Sequence, residues 1–430
     1  SSISFVNNQV ILDPAADLSN EIEYFVTYPA GSIKSYGDKY QNDQLIYSFT
    51  TEAVVYQLWM WGANQVGWSG NTAASQYSSP VQVSGTDWAT VRAGQASVFS
   101  VKTNGTLWSW GANQYGQLGQ NQGAPYPSRT TWYSSPTQVG SGTDWGKTNK
   151  HINAGVMVQV IKTDGTLWTW GNSQNQGNLG LNNQTQYSSP TQVGTDTTWS
   201  DCSGSCHQTA MVIKTDGTLW SWGDGYYGQL GLNEAGASND YSSPMQIGTD
   251  TTWSKAFNNG PGQATLGLKT NGTLWVWGNN INGQLGLNQT HNTAHRSSPT
   301  QIPGTDWSHV SSGAYGGGEF LMAQKTNGTM WVWGNNAEGQ LGQNNVVALS
   351  SPTQVPGTWD NSQLSQKKVF GFKTDGTLWS WGYDWQGNLG LNGGGNPGRR
   401  SSPTQVGTAT NWIASGMRPN AFITAALRQG

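Results

Sequence analysis

The stretch that decides the fold runs from Trp108 to Gly119 and reads WSWGANQYGQLG. Its opening Trp-x-Trp-Gly occurs seven times in the 430 residues at a mean spacing of about 53 residues, in the range of propeller blades. The copies begin at Trp59, Trp108, Trp168, Trp220, Trp275, Trp331 and Trp379. The pattern predicts one large repeat fold, although the length alone would also allow two or three separate domains.

Two further signatures recur seven times each. Ser-Ser-Pro, followed one residue later by Gln and then Val or Ile, has its prolines at Pro80, Pro136, Pro190, Pro244, Pro299, Pro352 and Pro403. A lone tryptophan follows it at Trp88, Trp145, Trp199, Trp253, Trp307, Trp359 and Trp412. The three signatures contain most of the 24 tryptophans, which are therefore interpreted mainly as structural residues.

Each unit is predicted to form four short strands. Asp-Gly or Asn-Gly between two apolar runs, as at Asp216 and Gly217, favours a tight hairpin with a type I′ turn. In the strand that follows, Trp220 and Trp222 are two residues apart and should face the same side. The Pro-Thr-Gln-Val segment and the stretch after the lone tryptophan supply the other two strands.

The two ends of the repeat region complement each other. Residues 422–427, FITAAL, match the strand that elsewhere precedes the Asp-Gly turn, and residues 58–61, LWMW, match the strand that should follow it. We expect these segments to pair, which would remove exposed sheet edges. The predicted fold is all-β: a seven-bladed β-propeller with four-stranded blades in residues 52–430, closed by pairing of the N- and C-terminal strands, after a short N-terminal β segment in residues 1–51.

Composition argues against several classes of function. Charged residues make up 10% of the chain and the net charge is −3, so a nucleic-acid partner is not expected. No run of 18 apolar residues occurs, which predicts no membrane insertion. The five histidines lack metalloprotease spacing, and no nucleophile elbow, phosphate loop or calcium loop is present. The chain is therefore predicted to have no catalytic residues, metal or cofactor; Cys202 and Cys206 are interpreted as loop residues, with a local disulfide as the alternative.

The run Trp-Gly-x-Asn-x-x-Gly-Gln-Leu-Gly, followed by Ser-Pro-x-Gln-Val, closely resembles the repeats of the regulator of chromosome condensation family over about residues 52–430. The first unit departs from the pattern, with Gly67-Trp68-Ser69-Gly70 in place of Gly-Gln-Leu-Gly. The resemblance implies a seven-bladed propeller. The nucleotide exchange and chromatin binding of the family's founder are not expected, because its Gly-x-x-His is matched once and charge is sparse; other members inhibit enzymes or bind proteins.

Residues 1–51 have a different character. Leu12-Asp13-Pro14 and the segments 24–27, YFVT, and 47–51, YSFTT, resemble the C-terminal half of an immunoglobulin-like domain of bacterial surface proteins and phage fibres. That resemblance implies that the chain continues upstream of Ser1, since half a sandwich cannot bury a core. A short sheet docked on the propeller is the alternative.

Length variation points to a binding face. Between Leu-Gly and Ser-Ser-Pro the units carry inserts of 7 to 14 residues, and these loops share one rim, opposite the Asp-Gly turns. The candidate ligand-binding residues on this rim are Tyr126, Trp132, Tyr133, His291, His295, Arg296, Arg399 and Arg400. Exposed aromatics with arginine suit sugars or protein surfaces. Capping of the blades by the tyrosines before Ser-Ser-Pro is the structural alternative.

These observations favour a non-catalytic display module that is extracellular, on a virion such as a phage fibre or on a bacterial surface. Its expected partners are a cell-surface glycan or protein receptor, or other virion or surface proteins. The alternative is a soluble protein-binding propeller that regulates or inhibits a partner protein. An enzymatic function would need an acid and a base that converge in the central channel, and the strand patterns place no such pair there. The sequence does not predict the oligomeric state.

Overall fold

A computed structural model describes part of the first 55 residues and most of the remainder. The described residues are 2–6, 9–13, 23–28, 45–50 and 56–429, apart from 65–69, 71–75, 95–96, 123–131, 174–175, 203, 205–207, 237–238, 259–262, 291–293, 313–318, 366, 385–386, 393–397 and 420–422. The chain divides into two compact units, Ser1–Val55 together with Gly430, and Tyr56–Gln429.

The first unit contains two antiparallel hairpins. β1 (Ser2–Val6) pairs with β2 (Gln9–Asp13), and β3 (Glu23–Tyr28) pairs with β4 (Leu45–Thr50). A β segment therefore precedes the repeats, while its likeness to an immunoglobulin-like domain stays a prediction.

The second unit is built from four-stranded antiparallel sheets, which confirms the predicted propeller with four-stranded blades. Six sheets each use four consecutive strands. Blade 2 has β7 (Trp88–Ala93), β8 (Ser97–Lys102), β9 (Leu107–Ala112) and β10 (Trp132–Gln138); blade 3 has β11 (Ile152–Asn153), β12 (Met157–Ile161), β13 (Leu167–Gly171) and β14 (Tyr187–Gln192). Blade 4 has β15 (Trp199–Asp201), β16 (Thr209–Lys214), β17 (Leu219–Gly223) and β18 (Tyr241–Gln246); blade 5 has β19 (Trp253–Asn258), β20 (Ala264–Lys269), β21 (Leu274–Gly278) and β22 (Arg296–Ile302). Blade 6 has β23 (Trp307–Ser312), β24 (Phe320–Lys325), β25 (Met330–Gly334) and β26 (Leu349–Val355); blade 7 has β27 (Asn361–Ser365), β28 (Lys368–Phe372), β29 (Leu378–Asp384) and β30 (Gly398–Gln405).

One further four-stranded sheet, blade 1, joins segments that are far apart in the sequence. Its order is β31 (Trp412–Pro419), β32 (Ile423–Gln429), β5 (Tyr56–Ala63) and β6 (Gln76–Gln82). Along β32, Ala426 lies opposite Trp59. On its other side, Trp61 of blade 1 contacts Phe370 of blade 7, with ring centroids 6.3 Å apart. The described residues contain no helix long and apolar enough to cross a membrane.

Three tryptophans form the centre of each blade. In blade 5 the lone Trp253 contacts both members of the doublet, Trp275 and Trp277, with centroids 6.4 and 5.9 Å apart. The prediction that the doublet faces one side is thereby confirmed. Trp277 also reaches blade 4, where its indole N–H donates to the carbonyl of Gln229 at 2.9 Å. Gln229 belongs to Gly-Gln-Leu-Gly. This motif therefore accepts a hydrogen bond from the second tryptophan of the next blade, and we call this contact the tryptophan socket.

The same indole-to-carbonyl bond recurs at other blade boundaries. It joins Trp170 to Gln117, Trp222 to Asn178, Trp333 to Gln284 and Trp381 to Gln340, at 2.8–3.1 Å. The second tryptophan of each doublet is almost fully buried. Blade-to-blade packing is therefore a repeated contact that the motif encodes.

The predicted type I′ turn is wrong. In the Asp216-Gly217 turn of blade 4 only Gly217 has a positive φ, +79°, whereas a type I′ turn also needs one at Asp216. Gly217 N–H donates to Lys214 O, and Lys214 N–H donates to Thr218 O, both at 3.0 Å. These bonds belong to a three-residue hairpin loop with glycine in the left-handed region. Asp216 instead serves as an acceptor, since its Oδ1 receives the N–H and hydroxyl of Thr218.

A lysine clamp lies beside these turns. In blade 5 Lys269 Nζ sits 4.7 Å from the ring centre of Trp253 and 4.1 Å from that of Trp275. The same ammonium group lies 2.5 Å from Asp250 Oδ2. Burial alone would raise the pKa of Asp250, but hydrogen bonds from Lys269 and Thr252 lower it to about 2.

Asp250→Asn is expected to remove an acid-sensitive stabilising contact. Because the pKa is depressed in the folded state, the stabilisation is present above the unfolded value of about 3.9 and is lost as the pH falls toward about 2. At pH 7 the variant should therefore melt about 2 °C below wild type, and the gap should close near pH 2. Asp360→Asn, at an exposed carboxylate without an ion pair among the described residues, is the control. A gap for Asp250→Asn that is the same at both pH values would contradict the clamp.

Candidate binding surfaces

The connections of the propeller fall on two rims because neighbouring strands are antiparallel. The turn rim carries the hairpins between second and third strands and the links from one blade to the next. The loop rim, at the opposite end, carries the connections between first and second strands and the variable connections between third and fourth strands.

Each variable connection starts with a rigid base. In blade 5 Asn280 Oδ1 accepts the N–H of Leu285 at 2.9 Å, and Gln284 Oε1 accepts the N–H of Asn282 at 2.8 Å. Both side chains are buried. The motif therefore fixes the base of the loop, while the residues after it and the two positions before Gly-Gln are free to vary.

Exposed apolar side chains are concentrated on the loop rim. Among the described residues six large hydrophobic side chains are exposed, and five of them lie on this rim. These are Trp132 at the start of β10, Tyr226 in blade 4, Ile281 in blade 5, and Val346 and Val347 in blade 6. Trp132, Tyr226 and Val347 expose 51%, 52% and 63% of their surface. The sixth, Met245, lies on the outer strand β18.

The structure places the candidate residues from the sequence in three separate patches. Trp132 and Tyr133 belong to blade 2, His295 and Arg296 to blade 5, and Arg399 and Arg400 to blade 7. Tyr126 and His291 lie outside the described residues. No two of these blades are consecutive, so the six described residues do not form one site. Their role in binding stays a prediction.

The patch in blade 5 extends into blade 4 as an aromatic patch made of Tyr226, Tyr227 and His295. The ring of Tyr227 lies 4.7 Å from that of Tyr226 and 5.1 Å from that of His295, both edge to face. His295 Nδ1 accepts the N–H of Asn280 at 3.1 Å, and burial lowers the pKa of His295. The imidazole is therefore neutral at neutral pH and carries its proton on Nε2.

The arginines differ in their freedom to bind a ligand. Arg296 donates to the carbonyl of His295 and to Gln289 Oε1, each at 3.1 Å. Arg399 reaches the carbonyl of Ala337 in blade 6 at 3.4 Å and stays exposed, as does Arg400. Arg296 is thus largely held by its own loop, whereas Arg399 and Arg400 face solvent.

A second candidate site lies where the blades meet. First strands of successive blades contact one another, as β19 does β23, β23 does β27 and β27 does β31. A cavity of about 350 Å³ opens between side chains of these strands and residues 147–150, which precede β11. Its polar lining includes Arg92, Lys147, Lys150, Lys255, His309 and Gln363. We refer to it as the axial cavity.

Arg92 anchors one wall of the axial cavity. Its Nε donates to the carbonyl of Ile152 at 2.8 Å, and its Nη2 donates to the carbonyl of Asn149. Thr90 donates its hydroxyl hydrogen to Asn149 Oδ1. Burial lowers the pKa of Arg92 to about 10, so the guanidinium remains charged at neutral pH. These bonds hold residues 147–150 against the first strand of blade 2.

Lys255 also lines the cavity, where its Nζ lies 2.7 Å from Asp201 Oδ2, and Asp201 is only 7% exposed through its side chain. The neighbouring Cys202 is a buried free thiol whose pKa burial raises, so it is not a reactive thiolate. Cys206 lies outside the described residues. Within the described part of the chain, no group of three or more His, Cys, Asp or Glu side chains is placed to hold a metal ion.

Neither the axial cavity nor the tyrosines of the aromatic patch could be identified from the sequence. Tyr226 and Tyr227 occupy the two variable positions of the loop motif. Because residue type varies freely there, the sequence does not mark them as part of a binding surface. Arg92 and Lys255 are single cations in short strands of different blades, and only the folded propeller brings them to one cavity. One signal was available: the segment 146–151, GKTNKH, places two lysines directly after a lone tryptophan.

Comparison with known proteins places the repeats in a defined group. A family profile described as the RCC1-like domain matches residues 57–420. The chain is 29% identical to human E3 ubiquitin-protein ligase HERC2 over 205 residues, which are 47% of this chain and 4% of the ligase. It is 29% identical to the ultraviolet-B receptor UVR8 of Arabidopsis thaliana over 199 residues, 46% of this chain and 43% of the receptor. These matches span less than half of each relative's length.

Solved structures share the fold. Yeast RCC1 (Prp20), in its crystal structure with Kap60, has 14% identity and a TM-score of 0.72, with 88% of this chain and 89% of that chain covered. Human WBSCR16 has 16% identity and a TM-score of 0.71, with 87% and 99% covered. At these identities the likeness establishes the fold alone.

Proposed function

The chain belongs to the RCC1-like domain family, and we propose that it is a non-catalytic propeller that binds a protein partner through its loop rim and regulates that partner. The observation that carries this proposal is the concentration of exposed apolar side chains on the loop rim. Clustered apolar and aromatic side chains with few charges are typical of the centres of protein interfaces. The charged fraction of 10% fits such a surface better than one that binds nucleic acid.

The relatives favour a protein partner. Yeast RCC1 was solved bound to Kap60, and a second structure of that yeast protein is described together with its binding to Gsp1p and histones. Display on a virion or bacterial surface, with a glycan receptor, was expected from the first 51 residues, the sparsely charged surface and the near-identical repeats, and has no counterpart among the relatives named above. Regulation of a protein partner is therefore the function that we propose.

The scaffold that we propose for this function is a closed ring of seven blades. The pairing of β32 with β5 and the contact of Trp61 with Phe370 support it. A closed ring would hold the variable loops at fixed positions, so that a partner binds a preformed surface. The entropic cost of ordering the loops on binding would then be small.

Tyr226→Ala combined with Ile281→Ala is expected to weaken partner binding at least tenfold without changing the melting temperature, because both side chains are exposed. The measurement is quantitative affinity capture from an extract of the source cells, with captured proteins compared by mass spectrometry. Met245→Ala is the matched control, since Met245 is also exposed but lies on an outer strand. Capture of the same proteins in equal amounts by all three forms would exclude the loop rim as the binding face.

A further inference from the structure

The axial cavity concentrates positive charge in a chain that is acidic overall. The full sequence has 20 lysine and arginine residues and a net charge of −3, yet four of these cations line this one cavity. They come from blade 2 (Arg92), the link to blade 3 (Lys147 and Lys150) and blade 5 (Lys255). Among the described residues no carboxylate lines the cavity, although the buried Asp201 behind it pairs with Lys255 and interacts with Arg92. Like charges this close repel one another, so an anion between them would be stabilised.

The four cations have two different roles. Arg92 is bound to backbone carbonyls and Lys255 is paired with Asp201, so both are held in place. Lys147 and Lys150 are exposed and have no ion-pair partner among the described residues. Their segment is nevertheless ordered, because Asn149 between them receives hydrogen bonds from Arg92 and Thr90. The cavity therefore presents two available ammonium groups on a segment that is hydrogen-bonded to a buried guanidinium.

We propose that the axial cavity binds a small polyanion that carries phosphoryl groups. Its volume of about 350 Å³ is that of a small-molecule site, too small for a folded partner. Ammonium groups and a guanidinium are the side chains that favour phosphoryl oxygens, and a ligand with several such groups satisfies several cations at once. Gln363 and His309, from blades 7 and 6, add polar contacts on the far side.

This site is distinct from the protein-binding surface. Residues 147–150 lie between the bridge Trp145–Lys162 and β11, and none of the residues that line the cavity is one of the exposed apolar residues of the loop rim. The proposal therefore does not depend on the proposed function. Loss of Lys147 and Lys150 is expected to leave partner capture unchanged.

The test is isothermal titration calorimetry of the full chain with inorganic tripolyphosphate, pyrophosphate and phosphate at low ionic strength. We expect one site, with affinity that falls from tripolyphosphate to phosphate. Lys147→Ala/Lys150→Ala should weaken tripolyphosphate binding at least tenfold. The matched control, Arg399→Ala/Arg400→Ala, removes two exposed cations outside the cavity and should change the affinity less than twofold.

Two results would overturn the proposal. Equal losses in the two double variants would mean that tripolyphosphate responds to overall charge and not to the cavity. Absence of binding to the wild-type chain, while its melting curve shows it to be folded, would mean that the cations do not form an anion site. A rise in melting temperature with tripolyphosphate in the wild type and in Arg399→Ala/Arg400→Ala, but not in Lys147→Ala/Lys150→Ala, would support it independently.

Discussion

Trp277→Ala is expected to lower the free energy of unfolding by about 3–5 kcal/mol. The side chain is fully buried, contacts Trp253 of its own blade and belongs to one buried cluster with Met211, Ile213 and Leu219 of blade 4. Its removal leaves a cavity between two blades and also leaves the carbonyl of Gln229 without the indole donor.

The measurement is the denaturant midpoint and melting temperature followed by circular dichroism. Trp132→Ala is the matched control, because it deletes the same side chain where 51% of it is exposed. Its stability should stay close to that of wild type. Equal midpoints for the two variants would show that the tryptophan socket does not hold blades 4 and 5 together.

Gly217→Ala is expected to destabilise the chain by about 4 kcal/mol or more. A methyl group at this position would lie 2.0 Å from the carbonyl oxygen of Thr251, in the link to blade 5, and the backbone there has a φ of +79°. The turn and the link are also joined by a hydrogen bond from Trp253 N–H to Gly217 O at 3.1 Å. Neither can move without breaking the contact between the blades.

Gly248→Ala separates the cost of a positive φ from the cost of the steric clash between the turn and the link. Gly248 has a φ of +58°, but no atom lies within 4 Å of the position of an added methyl group. Only the backbone cost of about 1–2 kcal/mol should appear there. If thermal melts gave the two alanine variants the same stability, the close approach between turn and link would not contribute to the loss of stability in Gly217→Ala.

The features that could be predicted from the sequence are those with short-range periodicity. A spacing of two residues places Trp275 and Trp277 on one side of a strand, and both contact Trp253 as expected. The turn type was predicted wrongly because Asp-Gly indicates where a glycine bends the chain but not whether the aspartate also adopts a positive φ. Asp216 does not, since its carboxylate binds Thr218.

Contacts between distant repeats could not be predicted from short-range periodicity. Gln229 and Trp277 are 48 residues apart, and nothing local to either residue indicates that a backbone carbonyl meets an indole. The axial cavity was still harder to predict from the sequence. Arg92 and Lys255 come from different repeats, and only the arrangement of first strands around a centre brings them to one cavity. The position of the variable loops on one rim was easier to predict, because loop length varies visibly along the sequence and neighbouring strands are antiparallel.

Photo-crosslinking would show directly whether the loop rim binds a protein. A photoreactive phenylalanine analogue would be incorporated at position 226 in one sample and at position 245 in another, and both would be irradiated in an extract of the source cells. We expect a discrete crosslinked protein at position 226 that is absent at position 245 and is competed away by unlabelled chain. The same crosslinked products at both positions, or none at position 226, would contradict it.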